Sequence, residues 1–474
     1  MNRISLDRSF EFLGKSGLMA VLLTGVASVA QAQNTTGFER PNIIVYLADD
    51  VGVEAFGSYG GTSYETPNID QLAAEGMRFT RAYSMPLCTP TRVAFLTGKY
   101  NFRNYDDFAY LHTAERTIAN YLQAAGYATA IVGKWQLGGS FQTPHLFGFD
   151  EYLVWQLEAP DWWTRYKNPV LTHSGESTRR REGGYGPDLF AEFAMDFMER
   201  HRDQPFFIVF SDTLAHDPWQ PTPDSPEYET LDEATVNDVK YFGDNIRYQD
   251  KLVGRLVGKL DSLGIGERTL VFFTSDNGTH SQVTSMTNRG PVLGDKGGSL
   301  DAAMHVPLIA SWPGTIAPGQ VRDDLVDTTD LFATIFEAGG VQINNVRYDG
   351  VSLYPTLTRA TPSPREWIFV DYYRSRTPGP DTVRGGFGTP FRLVHDGRYK
   401  LHADGRFFDV VTDPREEHPL WENELSPDAR NAHEVLQAVM MRMEAEVRLW
   451  DSRRDETPQQ LVQPPPGMTA NGGG

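Results

Sequence analysis

Only one of the 474 residues is cysteine, Cys88. No intramolecular disulfide is therefore open to the chain, and stability has to come from the core and from whatever the protein binds. Basic residues are also scarce: 43 Lys and Arg against 62 Asp and Glu leave a formal net charge of -19. Long-range repulsion then opposes general binding to nucleic acid or anionic membranes, and an anionic ligand must be met by a local basic pocket. Long apolar runs are missing as well. The longest follows Arg3, Arg8 and Lys15, runs from Gly17 to about Ala27, and precedes Ala30-Gln31-Ala32, which has the form of a signal-peptidase site. That run is short for a bilayer span, so residues 1–32 are predicted to be a signal peptide. An exported protein, periplasmic or extracellular and without stable membrane insertion, is expected.

What is present is an ordinary globular composition, 40% hydrophobic and 22% charged, long enough for about two to four domain-sized units. Continuous apolar runs at Asn42–Ala48, Ala128–Val132, Phe206–Phe210, Thr269–Thr274 and Val306–Ala310 read as strands buried on both faces. Helical patterns lie between them at Ile69–Gly76, Glu115–Gly126, Asp188–His201 and Glu233–Gly264, with Gly76, Gly126 and Gly264 as stops. The alternation predicts an α/β fold, a large, mostly parallel (mixed) sheet flanked by helices, over residues 33–365. From Trp367 the texture changes to short strand-like pieces and a helix from Asp428 to about Trp450. This predicts a smaller C-terminal subdomain of antiparallel strands plus a helix over 366–455, followed by a Pro/Gly-rich tail over 456–474.

Two apolar strands end in paired oxygen side chains, Asp49-Asp50 and Asp276-Asn277. In a parallel sheet both pairs leave from one edge, where they can converge on a hard cation such as Ca²⁺, with Mg²⁺ as the alternative. Each pair taken alone is an ordinary solvated turn. A lone cysteine is by default a small buried hydrophobe, but Cys88 lies between the pairs, in Pro86-Leu-Cys-Thr-Pro-Thr-Arg92.

Cys88-x-Pro90-x-Arg92 resembles the signature by which sulfatases present a cysteine for oxidation to formylglycine. Pro41 to Asp50, Thr66 to Asp70, Gly133-Lys134-Trp135, Ser275 to Gly278, and Lys296-Gly297 through Pro307 are similar to segments of the formylglycine-dependent (type I) sulfatases, of the alkaline phosphatase superfamily, in family order. The resemblance extends to about Pro419. It implies sulfate-ester hydrolysis on sulfated carbohydrates, and a maturase as partner. An aldehyde hydrate offers two hydroxyls, one to attack sulfur and one to expel sulfate by re-forming the aldehyde. The resemblance further implies that Asp49, Asp50, Asp276 and Asn277 hold the ion together with modified Cys88. Arg92 and Lys134 would stabilise developing negative charge, His216 and Lys296 would bind sulfate and serve the leaving group, and Asp276 would act as base.

One position departs from the pattern: Gln136 stands where sulfatases usually have His after Lys-Trp, and an amide cannot take a proton at neutral pH. Asp301-Ala-Ala-Met-His305 likewise replaces the commoner Glu-Gly-Gly-x-Arg. Further substrate contacts are expected from His280 and from the insert Trp155–Gly186, where Trp162, Trp163, Tyr166, His173 and Arg179 to Arg181 stand as a glycan-binding set or an ordinary surface loop. Two other functions stay open at this level: a phosphonate or phosphodiester hydrolase of the same superfamily, and a non-catalytic sulfated-glycan binder. Oligomeric state is equally open.

Overall fold

The computed structural model describes residues 40–157, 165–230, 236–343, 345–376 and 389–456. The predicted signal peptide, Trp162, Trp163 and the tail beyond Glu456 lie outside the described residues. From Arg40 the chain forms one compact unit.

Strand β1 (Asn42–Ala48) runs through the middle of a ten-stranded sheet. Its odd and even residues feed different cores. Ile43 and Val45 join one layer, and Ile44, Tyr46 and Ala48 the other, as the two-residue period of a strand requires. The remaining strands in chain order are β2 (Met77–Tyr83), β3 (Ala128–Lys134), β4 (Glu151–Trp155), β5 (Val170–His173), β6 (Arg179–Arg180), β7 (Phe206–Ser211) and β8 (Thr269–Ser275). A separate hairpin of β9 (Thr284–Thr287) and β10 (Gly290–Leu293) follows, and β11 (Leu308–Ser311) and β12 (Gln320–Asp327) return to the large sheet. The order is β12-β2-β11-β8-β1-β7-β3-β4-β5-β6. Strands β8, β1, β7, β3 and β4 are mutually parallel, whereas β11 and β5 run antiparallel to their neighbours. The mixed α/β expectation is therefore met.

Helices cover both faces. Helices Pro67–Glu75, Gly186–Arg200 and Phe242–Ser262 close one core, and Cys88–Thr97, Ile118–Ala124 and Asp330–Ala338 close the other. The long helix buries Phe242, Ile246, Leu252, Leu256 and Leu260, the stripe its spacing predicted. It starts later than the pattern suggested, because Asp238 caps a separate 3₁₀ turn at Val239–Tyr241. The expected helix from Glu115 likewise begins only at Ile118, where Thr117 and Asn120 form a capping box. Each fully buried Val, Leu, Ile or Phe contributes about 1.5–3 kcal/mol.

The C-terminal sheet is antiparallel, β13 (Ile368–Tyr372), β14 (Phe391–His395), β15 (Tyr399–His402) and β16 (Phe407–Asp409). Phe369, Val394, Leu401 and Phe407 pack on the helix Pro427–Glu456. Ile368, Val370, Tyr372 and Leu393 point the other way, into a cluster that contains Leu87 and Cys88. The small sheet thus forms one wall around the cysteine. No described helix is long and apolar enough to cross a membrane.

Candidate active site

Register places the acidic pairs together. Ala48 is level with Ser275 across the parallel β1–β8 pair, so Asp49-Asp50 and Asp276-Asn277 leave the sheet side by side. The Asp276 amide donates to the Ala48 carbonyl at 3.1 Å, and the Asp50 amide donates to Asp276 Oδ1 at 3.2 Å. Carboxylate oxygens of Asp49, Asp50 and Asp276 lie within 4.8 Å of one another. Asp50 adopts a left-handed backbone, φ 62°, which turns the chain back over the strand end.

Strand β3 delivers the first cation. Gly133 has φ 91°, and a Cβ there would sit 1.8 Å from the Ser211 carbonyl oxygen, so only glycine allows β3 and β7 to close here. Lys134 then reaches Asp49, Nζ lying 2.8 Å from both carboxylate oxygens. Cys88 opens the helix Cys88–Thr97, where the helix dipole favours negative charge. Arg92, one turn on, shares its face and donates through Nε and Nη2 to Asp276 Oδ2 at 3.2 and 2.8 Å. The same guanidinium also binds Ser211 Oγ. Thr91 Oγ1 clamps the turn, accepting from the Met85 amide at 3.0 Å.

His216 follows Ala215, another left-handed residue at φ 54°. Lys296 Nζ contacts Asp50 Oδ2 at 2.5 Å and His216 Nε2 at 2.9 Å. The second contact needs a lone pair on the imidazole, so while Lys296 keeps its proton His216 carries its own on Nδ1, donating to the Asp217 carbonyl at 2.5 Å. Cys88, Asp49 and His216 bring ligand atoms within 4.8 Å of each other. Cys88, Arg92, Lys134, His216 and Lys296 therefore converge on the acidic pairs. His280 packs edge-on to Trp219 at 5.2 Å, within the fields of Asp50 and Lys296.

Electrostatics follow from this packing. Burial opposes ionisation of Asp49, yet Lys134 holds its carboxyl well below the usual range; Asp50 is lowered against the same penalty by His216 and Lys296. Asp276 goes the other way, pushed up to about 6 by burial and by the charge of Asp49. Burial and the Lys296 charge work against a charged imidazole and Asp50 favours it, raising His216; the 2.9 Å contact with Lys296 is open only to the neutral ring, so the two groups compete for one proton. For Cys88, Lys134, His216 and Lys296 outweigh burial and lower the thiol.

A hard cation fits these residues. Asn277 spends its amide nitrogen on Asp50 Oδ1 and the Gly278 carbonyl, both at 2.9 Å, which leaves Oδ1 a buried acceptor without a donor. Such an orphan is rare unless an ion or water satisfies it. Three carboxylates and an amide oxygen are the donors a divalent hard metal takes.

Sequence reasoning missed Ser211, Asp217 and Arg165. Ser211 is a polar residue closing an apolar strand, the same signal that marked the acidic pairs. Asp217 joins His216 and Asp50 in a compact group of ligand atoms. Arg165 and Tyr166 both donate to the His216 carbonyl, at 2.8 and 3.0 Å, so this part of the insert supports His216. The described part of the insert also supplies β5 and β6, at one edge of the sheet, and there Arg179 and Arg181 pair with Glu176.

A family model described as Sulfatase matches residues 41–341. The chain belongs to the sulfatase family. A second model, N-sulphoglucosamine sulphohydrolase, C-terminal, matches residues 293–446. Bovine (Bos taurus) arylsulfatase A is 31% identical over 504 residues, covering 92% of this chain and 96% of its own. N-acetylgalactosamine-6-sulfatase of Rattus norvegicus is 33% identical over 408 residues, covering 77% and 71%. Among solved structures, Ps i-CgsB in complex with k-i-k-neocarrahexaose superposes with a TM-score of 0.70 at 24% identity, over 86% of this chain and 93% of that one. In this sulfatase-family chain Gln136 is left-handed at φ 49°. Its Oε1 accepts from Thr89 Oγ1 at 3.1 Å, and its Nε2 is buried without a partner.

Proposed function

We propose that this protein hydrolyses sulfate esters of carbohydrates, with Cys88 converted to formylglycine by a maturase and a Ca²⁺ ion held by Asp49, Asp50, Asp276 and Asn277. The observation that carries the reading is the convergence of Asp49, Cys88 and His216 beside the Asp49–Asp50–Asp276 cluster. The formylglycine hydrate supplies a geminal-diol nucleophile and the cation supplies charge that makes it acidic and neutralises sulfate oxygens.

The chain's own groups divide the remaining work. Three carboxylates, Asp49, Asp50 and Asp276, are matched by Lys134, Lys296 and Arg92, so a divalent ion makes the floor net positive and draws an anion into an otherwise acidic protein. Arg92 holds Asp276, the carboxylate that would take a proton from the residue-88 side chain. Lys296 and His216 share a proton-bearing contact at 2.9 Å, which places a transferable proton where a departing alcohol can collect it. Gln136 keeps a hydrogen-bonding amide beside the cysteine turn, and proton removal there falls to Asp276 or water. The N-acetylgalactosamine-6-sulfatase relative and the k-i-k-neocarrahexaose bound by the structural neighbour support a carbohydrate ester. Export follows from the residues 1–32 pattern.

Mass spectrometry of the Cys88 peptide, from protein coexpressed with a maturase, tests the chemistry. The expected loss is about that of sulfur exchanged for oxygen plus two hydrogens. An intact thiol in an active enzyme overturns the mechanism. Rates on aryl sulfate, aryl phosphodiester and phosphonate test the reaction: preference for the phosphorus esters makes this a phosphonate or phosphodiester hydrolase, and no turnover of any makes it a binder.

A further inference from the structure

The small C-terminal sheet presents one guanidinium to the cysteine side of the molecule. Arg374 is half-buried, and its Cζ lies 5.1 Å from the centre of the Phe108 ring. Among the described residues it has no carboxylate partner. Its neighbours differ: Arg376 pairs with Asp106 and Asp451, and Arg392 with Asp371 and Glu444.

Its place is fixed from both sides. The Tyr105 hydroxyl donates to the Arg374 carbonyl at 2.7 Å, and an antiparallel bridge joins Asp107 to Ser375. The loop carrying Phe108 is itself pinned to the nucleophile turn, because the Ala109 amide donates to Thr89 Oγ1 at 3.1 Å and Thr89 follows Cys88. Phe108 packs against the cluster that contains Cys88 and Tyr372. Tyr372, at the end of β13 and two residues before Arg374, is itself a member of the buried cluster that contains Cys88. A guanidinium lying on an aromatic face keeps its N–H edge free, and that edge matches two oxygens of a carboxylate or a sulfate.

We propose that Phe108 and Arg374 form a subsite beside Cys88 that binds a second anionic group, carboxylate or sulfate, on the alcohol portion of the ester. The inference rests on the sulfate-ester reading and narrows its substrate to esters with at least two negative groups. Phe108 supplies an apolar edge for the sugar ring, and Arg374 the charge.

The test compares kcat/KM of the metal-loaded, matured enzyme on a monosulfated monosaccharide, the same sugar with a second sulfate, and its uronate analogue. The wild type is expected to favour one or both dianions, and the favoured one identifies the group. In R374A the dianion-to-monoanion ratio falls about tenfold or more, the scale of a charge-assisted hydrogen bond, and R374K recovers part of it. A wild type without preference, or a ratio within about twofold of wild type in R374A, overturns the subsite. Failure of the underlying reading looks different, since no sulfate ester is then turned over. Calorimetry of the disulfated sugar against C88A and against C88A/R374A still decides the subsite in that case: equal affinities overturn it, and about tenfold weaker binding without Arg374 upholds it.

Discussion

Two buried clusters of charge meet at the loop Asp295–Leu300, and they are built on opposite principles. On one side Lys296 joins Asp49, Asp50, Asp276, Lys134 and Arg92, and an acceptor, Asn277 Oδ1, is left over. On the other side the Ser299 carbonyl accepts from Lys400 Nζ at 2.8 Å. Lys400 also pairs with Glu416 at 2.6 Å, and His402 with the second Glu416 oxygen at 2.7 Å. Every charge in this second group has a protein partner, and nothing is left for a ligand. Saturation marks a fastening that holds the Lys296 loop to the C-terminal sheet. The leftover oxygen marks a site kept ready for something else.

The contrast can be broken from either end. The largest effect is expected from C88A, which lowers sulfate-ester turnover by about 10⁴-fold or more while leaving thermal stability near wild type, as parallel kinetics and melting curves will show. D276N is expected next: bound divalent metal, read by elemental analysis, and turnover both fall, the latter about a hundredfold or more. If D276N retains full metal occupancy, the acidic cluster is not the ion site.

K400M should invert this pattern. It strands Glu416 and costs about 3–5 kcal/mol of stability by denaturant unfolding, with metal content preserved. Acid unfolding sharpens the point. Burial opposes ionised Glu416, but His402 and Lys400 prevail and lower its pKa, so its contribution is present above the unfolded value of about 4.3 and is lost as pH falls through the lower folded value. E416Q removes that part of the pH dependence. The smallest effect is expected from Q136H, about a few-fold in kcat, with an added ionisation near the ordinary imidazole value; a pH–rate profile identical to wild type would mean residue 136 handles no proton.

How much of this was legible depended on burial. The strands β1, β3, β7 and β8 are buried along their whole length, and their unbroken apolar runs announce them. Strand β2, Met77-Arg-Phe-Thr-Arg-Ala-Tyr83, alternates because one of its faces is only partly covered, and β12 carries Arg322, Asp323 and Asp324; neither was anticipated. The helix Cys88–Thr97 was missed for the opposite reason, since all ten of its residues are buried and no amphipathic period survives. At the site, residues on strand ends were readable because strand register brings them together. Phe108, Arg374, Lys400 and Glu416 come from distant stretches without a local pattern, and only the packing of the small sheet against the cysteine turn assembles them.

The burial of that turn also sets a deadline. Cys88 and Arg92 are 1% and 3% exposed, and Pro90 is buried between them. A maturase that reads all three finds in the finished protein only a sealed helix, with the sulfur turned toward Lys134 and His216. On the proposed chemistry the modification therefore belongs to the nascent, unfolded chain, in competition with folding. On that same proposal each molecule would have one interval in which to become an enzyme, and those that fold first would be sealed in the thiol form.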